Sequence, residues 1–408
     1  MLLFLAVFGP ATITAMADND AAGVATYSIA GARLGYPILV FLLIVTVLLA
    51  ITQEMGMRLA LVTRKGLGDL IRENYGIKSS LLIFSCLCVA NMGTIIVDLA
   101  AVKTTSGILH LPEIPALIAV VIIAFFLVTK GNYKINQNIM FIACVFYFTY
   151  LFSAFKAKPD WGLAVTNIFY PHGVTWTPAY IRDYIIIGLG VLGTTITPWG
   201  QFFIHSFAID KKLEAGRLKY SQMETYWGAF LTDFFSFFMI VATAATLYVH
   251  KIPLLSGEQA ALAIKPFAGE LAATVFAIGI FNAGFMGIFI ISLSTAYAFA
   301  EFFGLSGSLD QPFSKSKIFY SIFLAQLVLA GFAVMLPFVS LFKLAVAAQA
   351  LNAMILPFVF YYLLHLSSNK KLMGTHTTPR FQHHFATVGA VVISIASVLT
   401  ILLSFVFK

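Results

Sequence analysis

Along this chain, apolar residues gather in long runs that stop at charged or turn-forming residues. The runs fall at about 4–33, 36–63, 79–108, 114–130, 135–157, 180–209, 222–249, 267–301, 318–336, 338–365 and 386–407. About 20 apolar residues suffice for a helix to cross a bilayer, so the pattern predicts eleven membrane-spanning helices. The polar connectors are short, and even the two longest, 158–179 and 366–385, hold no inserted soluble domain. Composition agrees: of 408 residues, 60% are hydrophobic and 10% charged, with a mean hydropathy of +0.93. A soluble surface needs roughly 25–35% charged residues. A soluble globule is therefore excluded, together with disorder, coiled coil, collagen and a small disulfide scaffold. The expected fold class is an all-α polytopic membrane protein, with the lipid bilayer covering its apolar surface.

The three cysteines, Cys86, Cys88 and Cys144, lie inside apolar runs. They read as small core residues, with no metal-site or disulfide spacing. A net charge of +8 would suit a nucleic-acid partner, but its placement points to membrane orientation. With the N-terminus cytoplasmic, the inner loops hold Arg58, Arg64, Lys65, Arg72, Lys78, Lys130, Lys134, Lys211, Lys212, Arg217, Lys219, Lys315, Lys317, Lys370, Lys371 and Arg380, sixteen of the 25 basic residues. That excess obeys the positive-inside rule. It predicts a multi-pass protein of the cell (plasma or inner) membrane with a cytoplasmic N-terminus, an outer Lys408 and no nucleic acid bound. Residues 1–17 end in Ala15-Met16-Ala17, like a signal-peptidase site. No basic stretch precedes them and acidic residues follow at once, so they read as the start of the first span, with a shortened or misassigned N-terminus expected.

Two spans are interrupted. In the first, Asp18-Asn19-Asp20-Ala21-Ala22-Gly23 stands in the middle of the apolar run. In the sixth, Gly188, Gly190 and Gly193 lead into Thr194-Thr195-Ile196-Thr197-Pro198-Trp199-Gly200-Gln201. An aspartate at the centre of a spanning helix costs about 2.5–3.5 kcal/mol on insertion scales. Pro198 removes a backbone donor and clashes with the turn before it. Irregular backbone at membrane depth survives only where it faces protein or a wet cavity. The two breaks lie five spans apart, and a second copy of a five-span unit enters the membrane upside down. Paired broken helices in two inverted halves point to the central site of a transporter. The expected organisation is a first inverted repeat over 1–157, a second over 158–365, and an inner loop with an eleventh helix over 366–408.

The candidate ligands at the breaks are oxygens: the carboxylates of Asp18 and Asp20, the hydroxyls of Thr194, Thr195 and Thr197, the side chains of Asn19 and Gln201, and carbonyls freed by unwinding. Such donors suit hard cations such as Mg2+, Ca2+ and Mn2+. Mg2+ gives up water reluctantly, so a site with few protein ligands takes it partly hydrated. Met16, a turn before the acidic cluster, is the one soft donor nearby.

These same residues carry a resemblance. Gly9-Pro10-Ala11 through Ala25-Thr26 to Gly35-Tyr36 is similar to the first helix of the natural resistance-associated macrophage protein (Nramp) family of divalent-metal transporters. Leu192-Gly193-Thr194-Thr195-Ile196-Thr197-Pro198 with His205-Ser206 resembles its sixth helix, and Asn74-Tyr75-Gly76 and Lys371-Leu372-Met373-Gly374 also fit. The resemblance implies a leucine-transporter-like 5+5 inverted repeat plus one helix, with metal bound between helices 1 and 6. The family's Asp-Pro-Gly-Asn falls on Asp20-Ala21-Ala22-Gly23, keeping the carboxylate and placing Gly23 where the Asn stands. Its Met-Pro-His falls on Thr197-Pro198-Trp199, so Thr197 replaces a thioether and Trp199 a histidine associated with proton coupling. Thr194 falls where the family uses a backbone carbonyl. Gln349 and Asn352 lie near a polar residue that the family places beside the metal. Asp98 matches an acid of the family's proton route, whereas Ala101 stands where a neighbouring acid is usual. The pattern resembles the divergent Nramp-related magnesium transporters. It implies a substrate of Mg2+, with Mn2+ also carried, no resident cofactor and no proton coupling; the alternative is a proton-coupled Mn2+/Fe2+ transporter of the Nramp type.

Other classes fit less well. Gly66-Leu67-Gly68-Asp69 has the Gly-x-Gly-Asp pattern of intramembrane aspartyl proteases but lies in a basic inner loop with no spanning aspartate to pair with it, so no enzyme is expected. An amino-acid carrier of the same fold would keep its first break neutral, and Asp18 and Asp20 would repel a substrate carboxylate. Glu54 reads as the i+4 partner of Arg58. Asp98 is either a relic of a proton path or a partner of Lys103 or Lys343; Asp233 has no partner assignable by sequence. Trp199 is a gate or packing, and His376, His383 and His384 read as solvated loop histidines. The sequence leaves the oligomeric state open; a monomer is compatible with it.

Overall fold

The structure, a computed structural model, describes residues 9–252, 254, 257–336 and 341–406. Every regular element among them is helical. The first segment is two short helices, α1 (Pro10–Ala17) and α2 (Ala21–Leu34). There follow α3 (Leu39–Thr63), α4 (Leu67–Ile108), α5 (Glu113–Lys130), and α6 (Tyr133–Val145) with α7 (Phe148–Lys156), which together form one run. After a short α8 (Trp161–Phe169) come α9 (Pro178–Thr195) and α10 (Pro198–Asp210), the two pieces of the other broken segment. The remainder is α11 (Leu218–Thr243), α12 (Gly257–Ala268), α13 (Glu270–Phe303), α14 (Lys317–Met335), α15 (Leu341–Ser368), a single helical turn at Lys370–Met373, and α16 (Arg380–Val406).

Nine helical runs among the described residues are long and apolar enough to cross a membrane. The first segment is not among them because its pieces hold only 8 and 14 residues; α16 adds a further helix of 27 residues. The outward faces are as apolar as the buried ones. On α5, Ile114, Ile118, Ile122 and Phe126 are exposed at four-residue spacing, while Leu117, Val120, Ala124 and Val128 are buried. A helix apolar on both faces needs a solvent that is itself apolar.

Some boundaries differ from the sequence reading, each for a local reason. The run expected from 79 begins as a helix at Leu67, because Leu67–Tyr75 is helical before a kink at Gly76, whose φ of 82° only glycine adopts easily. The connector 158–179 carries α8, capped by the Asp160 carboxylate on Leu163 N–H at 2.9 Å. The run expected from 267 is entered from α12 through a corner at Gly269, with φ 92°.

The first broken segment is packed inside the bundle. All eight residues of α1 are buried. Its orphan N-terminal donors are capped by Glu224 of α11, whose Oε1 accepts from Gly9 N–H at 2.8 Å and Thr12 N–H at 2.9 Å. Gly228, one turn further on α11, permits the approach: a Cβ there would lie 2.9 Å from Thr12 Cα. Around this end, Arg58 binds Glu54 at 2.6 Å, the i+4 pair expected from sequence, and Gln222 donates to the same oxygen at 2.7 Å.

Candidate metal site

The two breaks meet. In the first, the amides that would continue the helix turn to side chains instead. Ala21 and Ala22 N–H donate to Asp98 Oδ1 of α4 at 3.0 and 3.4 Å, and Gly23 N–H donates to Asp20 Oδ1 at 2.6 Å. Asp20 is thus the N-cap of α2, and the carbonyl of Asp18 is left without its helical donor. In the second, Thr197 caps α10: its hydroxyl accepts from Gly200 N–H at 3.2 Å and donates to Asp18 Oδ1 at 3.0 Å. Four residues before Pro198, the Thr194 carbonyl finds no N–H, because proline has none.

Gly23 lies at the centre of this meeting. A Cβ built on it would stand 2.4 Å from the Asp18 carbonyl oxygen, 3.3 Å from Asp20 Oδ1 and 3.4 Å from Thr194 Oγ1. Three oxygens, from both breaks, therefore surround one point that the missing side chain keeps clear. The C-terminal ends of α1 and α9, the negative ends of their dipoles, are directed to this region. Among the described residues no three His, Cys, Asp or Glu side chains gather as a metal-binding group. A cation here is met by one carboxylate supplemented by hydroxyl and carbonyl oxygens.

The other residues singled out by sequence lie in different places. Asn19 is buried but turned towards α11: its Nδ2 donates to the carbonyl and hydroxyl of Thr232 at 2.9 and 3.0 Å, and its Oδ1 accepts from Ser236 at 2.8 Å. Read as a ligand from its place in the break, it is a clamp, because its oxygen already has a donor. Asp18 is brought to the site by its carbonyl; its carboxylate faces Thr197. Gln201 is fully buried one turn into α10, and neither atom of its amide has a hydrogen-bond partner. Asn352 of α15 is buried, 3.5 Å from Thr94 Oγ1 of α4; the side chain of Gln349 lies outside the described residues. Thr195 pairs with Tyr27, hydroxyl to hydroxyl, at 2.7 Å.

Asp98 is not paired with Lys103. Its carboxylate caps α2, while Lys103 reaches the Val334 carbonyl at 3.5 Å and the Lys343 side chain lies outside the described residues. Sequence reading missed Gly287 of α13, where a Cβ would fall 2.1 Å from Asp98 Oδ2 and 2.8 Å from Asp20 Cβ. One glycine in an apolar run gives no signal of that packing. Trp199 is fully buried, and its carbonyl accepts from Ser294 at 2.9 Å. His383 and His384, expected in a loop, stand instead in the first turns of α16 and are bound singly, His383 to Ser368 at 3.0 Å and His384 to the Arg380 carbonyl at 2.6 Å. Asp69 is paired with Arg72 at 3.0 Å.

A helical membrane bundle with its first and sixth segments broken face to face defines the class: the leucine-transporter-like fold of 5+5 inverted repeats. Two solved structures share it. The Eremococcus coleocola manganese transporter superposes with a TM-score of 0.78 at 17% identity, covering 98% of this chain and 86% of that one. Mhp1, a nucleobase-cation-symport-1 family transporter in a closed conformation, gives 0.59 at 13% identity, covering 97% and 91%. A family model described as natural resistance-associated macrophage protein-like matches residues 11–403. The chain belongs to this Nramp family. A relative named divalent metal cation transporter MntH, from Caldanaerobacter subterraneus, is 24% identical over 384 residues, 91% of this chain and 86% of the relative.

Proposed function

We propose that the protein is a secondary transporter that carries divalent metal cations across the membrane by alternating access, with no enzymatic activity. Mg2+ is the substrate we assign, and Mn2+ is also carried. The ion binds partly hydrated between the broken segments, with Asp20 Oδ1, the Asp18 carbonyl and Thr194 as ligands. Thr197 and Gln201 line the site from α10, and Asn352 and Gln349 stand on α15. Residues 1–157 and 158–365 act as the two inverted repeats that rock about this point, and 366–408 as an addition. What carries this reading is the convergence of three oxygens on the space above Gly23. It is supported by the named activity of the MntH relative and of the manganese transporter that shares the fold.

The choice of Mg2+ rests on donor chemistry. The site offers oxygens and no thioether, because Thr197 stands where the family has methionine, and all-oxygen donors do not favour softer metals over Mg2+. Thr197→Met is therefore expected to raise Mn2+ or Cd2+ transport relative to Mg2+ by about tenfold, or 1.4 kcal/mol. Competition uptake in proteoliposomes reads this ratio directly, and an unchanged ratio removes Thr197 from the ion's surroundings.

Transport is assigned as uncoupled to protons. Trp199 replaces the family histidine and Ala101 the second acid. The test is uptake of Mg2+ and Mn2+ into liposomes loaded with a pH dye. Metal entry with a steady internal pH is expected; acidification in step with metal entry gives the proton-coupled alternative.

A further inference from the structure

Between the end of α15 and the start of α16 lies an open pocket of about 510 Å3, away from the broken segments. One wall is the last turn of α15 and the residues after it, His365, Ser368, Asn369, Lys370 and Lys371; His383 of α16 stands on the other. Ser368 Oγ and His383 Nδ1 are 3.0 Å apart and tie the two walls together. Asn369 caps the turn Lys370–Met373, its Oδ1 accepting from Lys371 N–H at 2.9 Å, and so fixes the backbone that carries both lysines.

The charge of this pocket is not neutralised by the protein. Lys370 and Lys371 are exposed, and none of the ion pairs among the described residues includes either. No Asp or Glu follows Asp310 in the chain, so α15, α16 and their connector supply no counter-charge of their own. Glu54 lies near this end of the bundle, but it is taken by Arg58, which itself reaches the connector at the Thr377 carbonyl. Two adjacent ammonium groups with three rotatable donors each match an anion that has several acceptor oxygens.

The surroundings select the kind of anion. Leu364 continues the lining into α15. One and two turns before His365 on that helix, Tyr361 and Phe358 are more than half exposed, an apolar track for an acyl chain. The Tyr361 ring lies 6.1 Å from His365, and Tyr75 of α4 packs edge-on against Tyr362 at 4.7 Å and His365 at 5.9 Å. Tyrosines gather at headgroup level in a bilayer, and basic pockets between spanning helices take anionic headgroups.

We propose that this pocket binds the headgroup phosphate of an anionic phospholipid, with Lys370 and Lys371 on the phosphate oxygens and one acyl chain along Tyr361 and Phe358. A lipid seated there touches both α15 and α16 and fastens the last helix to the one before it. The inference rests on the membrane placement of the bundle and is independent of the ion carried.

Native mass spectrometry of the purified full-length protein, titrated with dioleoyl phosphatidylglycerol or dioleoyl phosphatidylcholine, tests it. The two lipids share their acyl chains and differ in net charge. Wild type is expected to bind the anionic lipid at least about tenfold more tightly. The double variant Lys370→Gln/Lys371→Gln is expected to lose that preference, and Lys370→Arg/Lys371→Arg to keep it. Lys315→Gln/Lys317→Gln, which removes the same charge from exposed lysines outside the pocket, is also expected to keep it. Thermal unfolding gives a second readout: phosphatidylglycerol is expected to raise the Tm of wild type, and inorganic phosphate is not. Equal binding of the two lipids, a preference retained by Lys370→Gln/Lys371→Gln, or one lost equally in Lys315→Gln/Lys317→Gln overturns the pocket. Inorganic phosphate that raises the Tm as much as the lipid does makes the ligand a free anion and overturns the lipid assignment.

Discussion

Asp20→Ala is expected to abolish divalent-metal uptake in proteoliposomes, lowering it by roughly 10²–10³-fold. The magnitude follows from what the side chain does. It supplies the one carboxylate oxygen at the cradle above Gly23, at a position 2% exposed. Removing one partner of a buried charge pair costs about 3–5 kcal/mol, and each 1.4 kcal/mol is tenfold in affinity. Asp20 also caps α2 through Gly23 N–H, and loss of a cap costs about 1 kcal/mol of stability. Asp20→Asn separates the two effects, because asparagine caps as well as aspartate does but carries no charge. Uptake is expected to fall as far in the Asn variant, with its melting temperature held near wild type. Asp183→Ala is the control, since it removes only an exposed pair with Arg182. Uptake retained by Asp20→Asn removes the carboxylate from the ion's path.

Gly23→Ala is expected to lower Mn2+ affinity by tenfold or more and to destabilise the fold by about 1–3 kcal/mol. The position does not need glycine for its φ, because it lies within the first turn of α2. It needs glycine for space. The added methyl would fall 2.4 Å from the Asp18 carbonyl oxygen, a backbone atom that can retreat only by moving the break itself. The same methyl occupies the point on which the three oxygens converge. Gly331→Ala in α14 is the matched control: nothing lies within 4 Å of its added Cβ, and alanine gains helix propensity of about 1 kcal/mol over glycine. Isothermal titration with Mn2+ and thermal unfolding of both variants check the prediction. Full affinity in Gly23→Ala would mean that the ion binds elsewhere.

The sequence made the spans legible because a bilayer imposes one simple rule, a run of about 20 apolar residues, and the chain obeys it almost everywhere. It made the breaks legible because aspartates and a proline are costly at that depth. What it could not show was direction. Asp18, Asn19 and Asp20 are three consecutive polar residues, and spacing alone treats them alike. Only the turn of the backbone sends Asp20 to Gly23 N–H, Asn19 to Thr232 and Ser236, and the Asp18 carboxylate to Thr197. Asp98 was visible as a buried acid, but its partners are the main-chain amides of Ala21 and Ala22, to which no side-chain pattern points. The glycines that bring the elements together, Gly228 against α1 and Gly287 against Asp20 and Asp98, sit in apolar runs where a glycine has many uses. The short helices α8 and α12 lie in connectors whose polar content hid their periodicity.

The central claim is that both broken segments hold one dication between them. Diffraction from crystals soaked in Mn2+, collected at the manganese absorption edge, tests it most directly. One anomalous peak is expected in the space bounded by Asp20 Oδ1, the Asp18 carbonyl and Thr194, and it is expected to vanish in Asp20→Asn. A peak at His376, His383 and His384 alone, or one that persists unchanged in Asp20→Asn, contradicts the account.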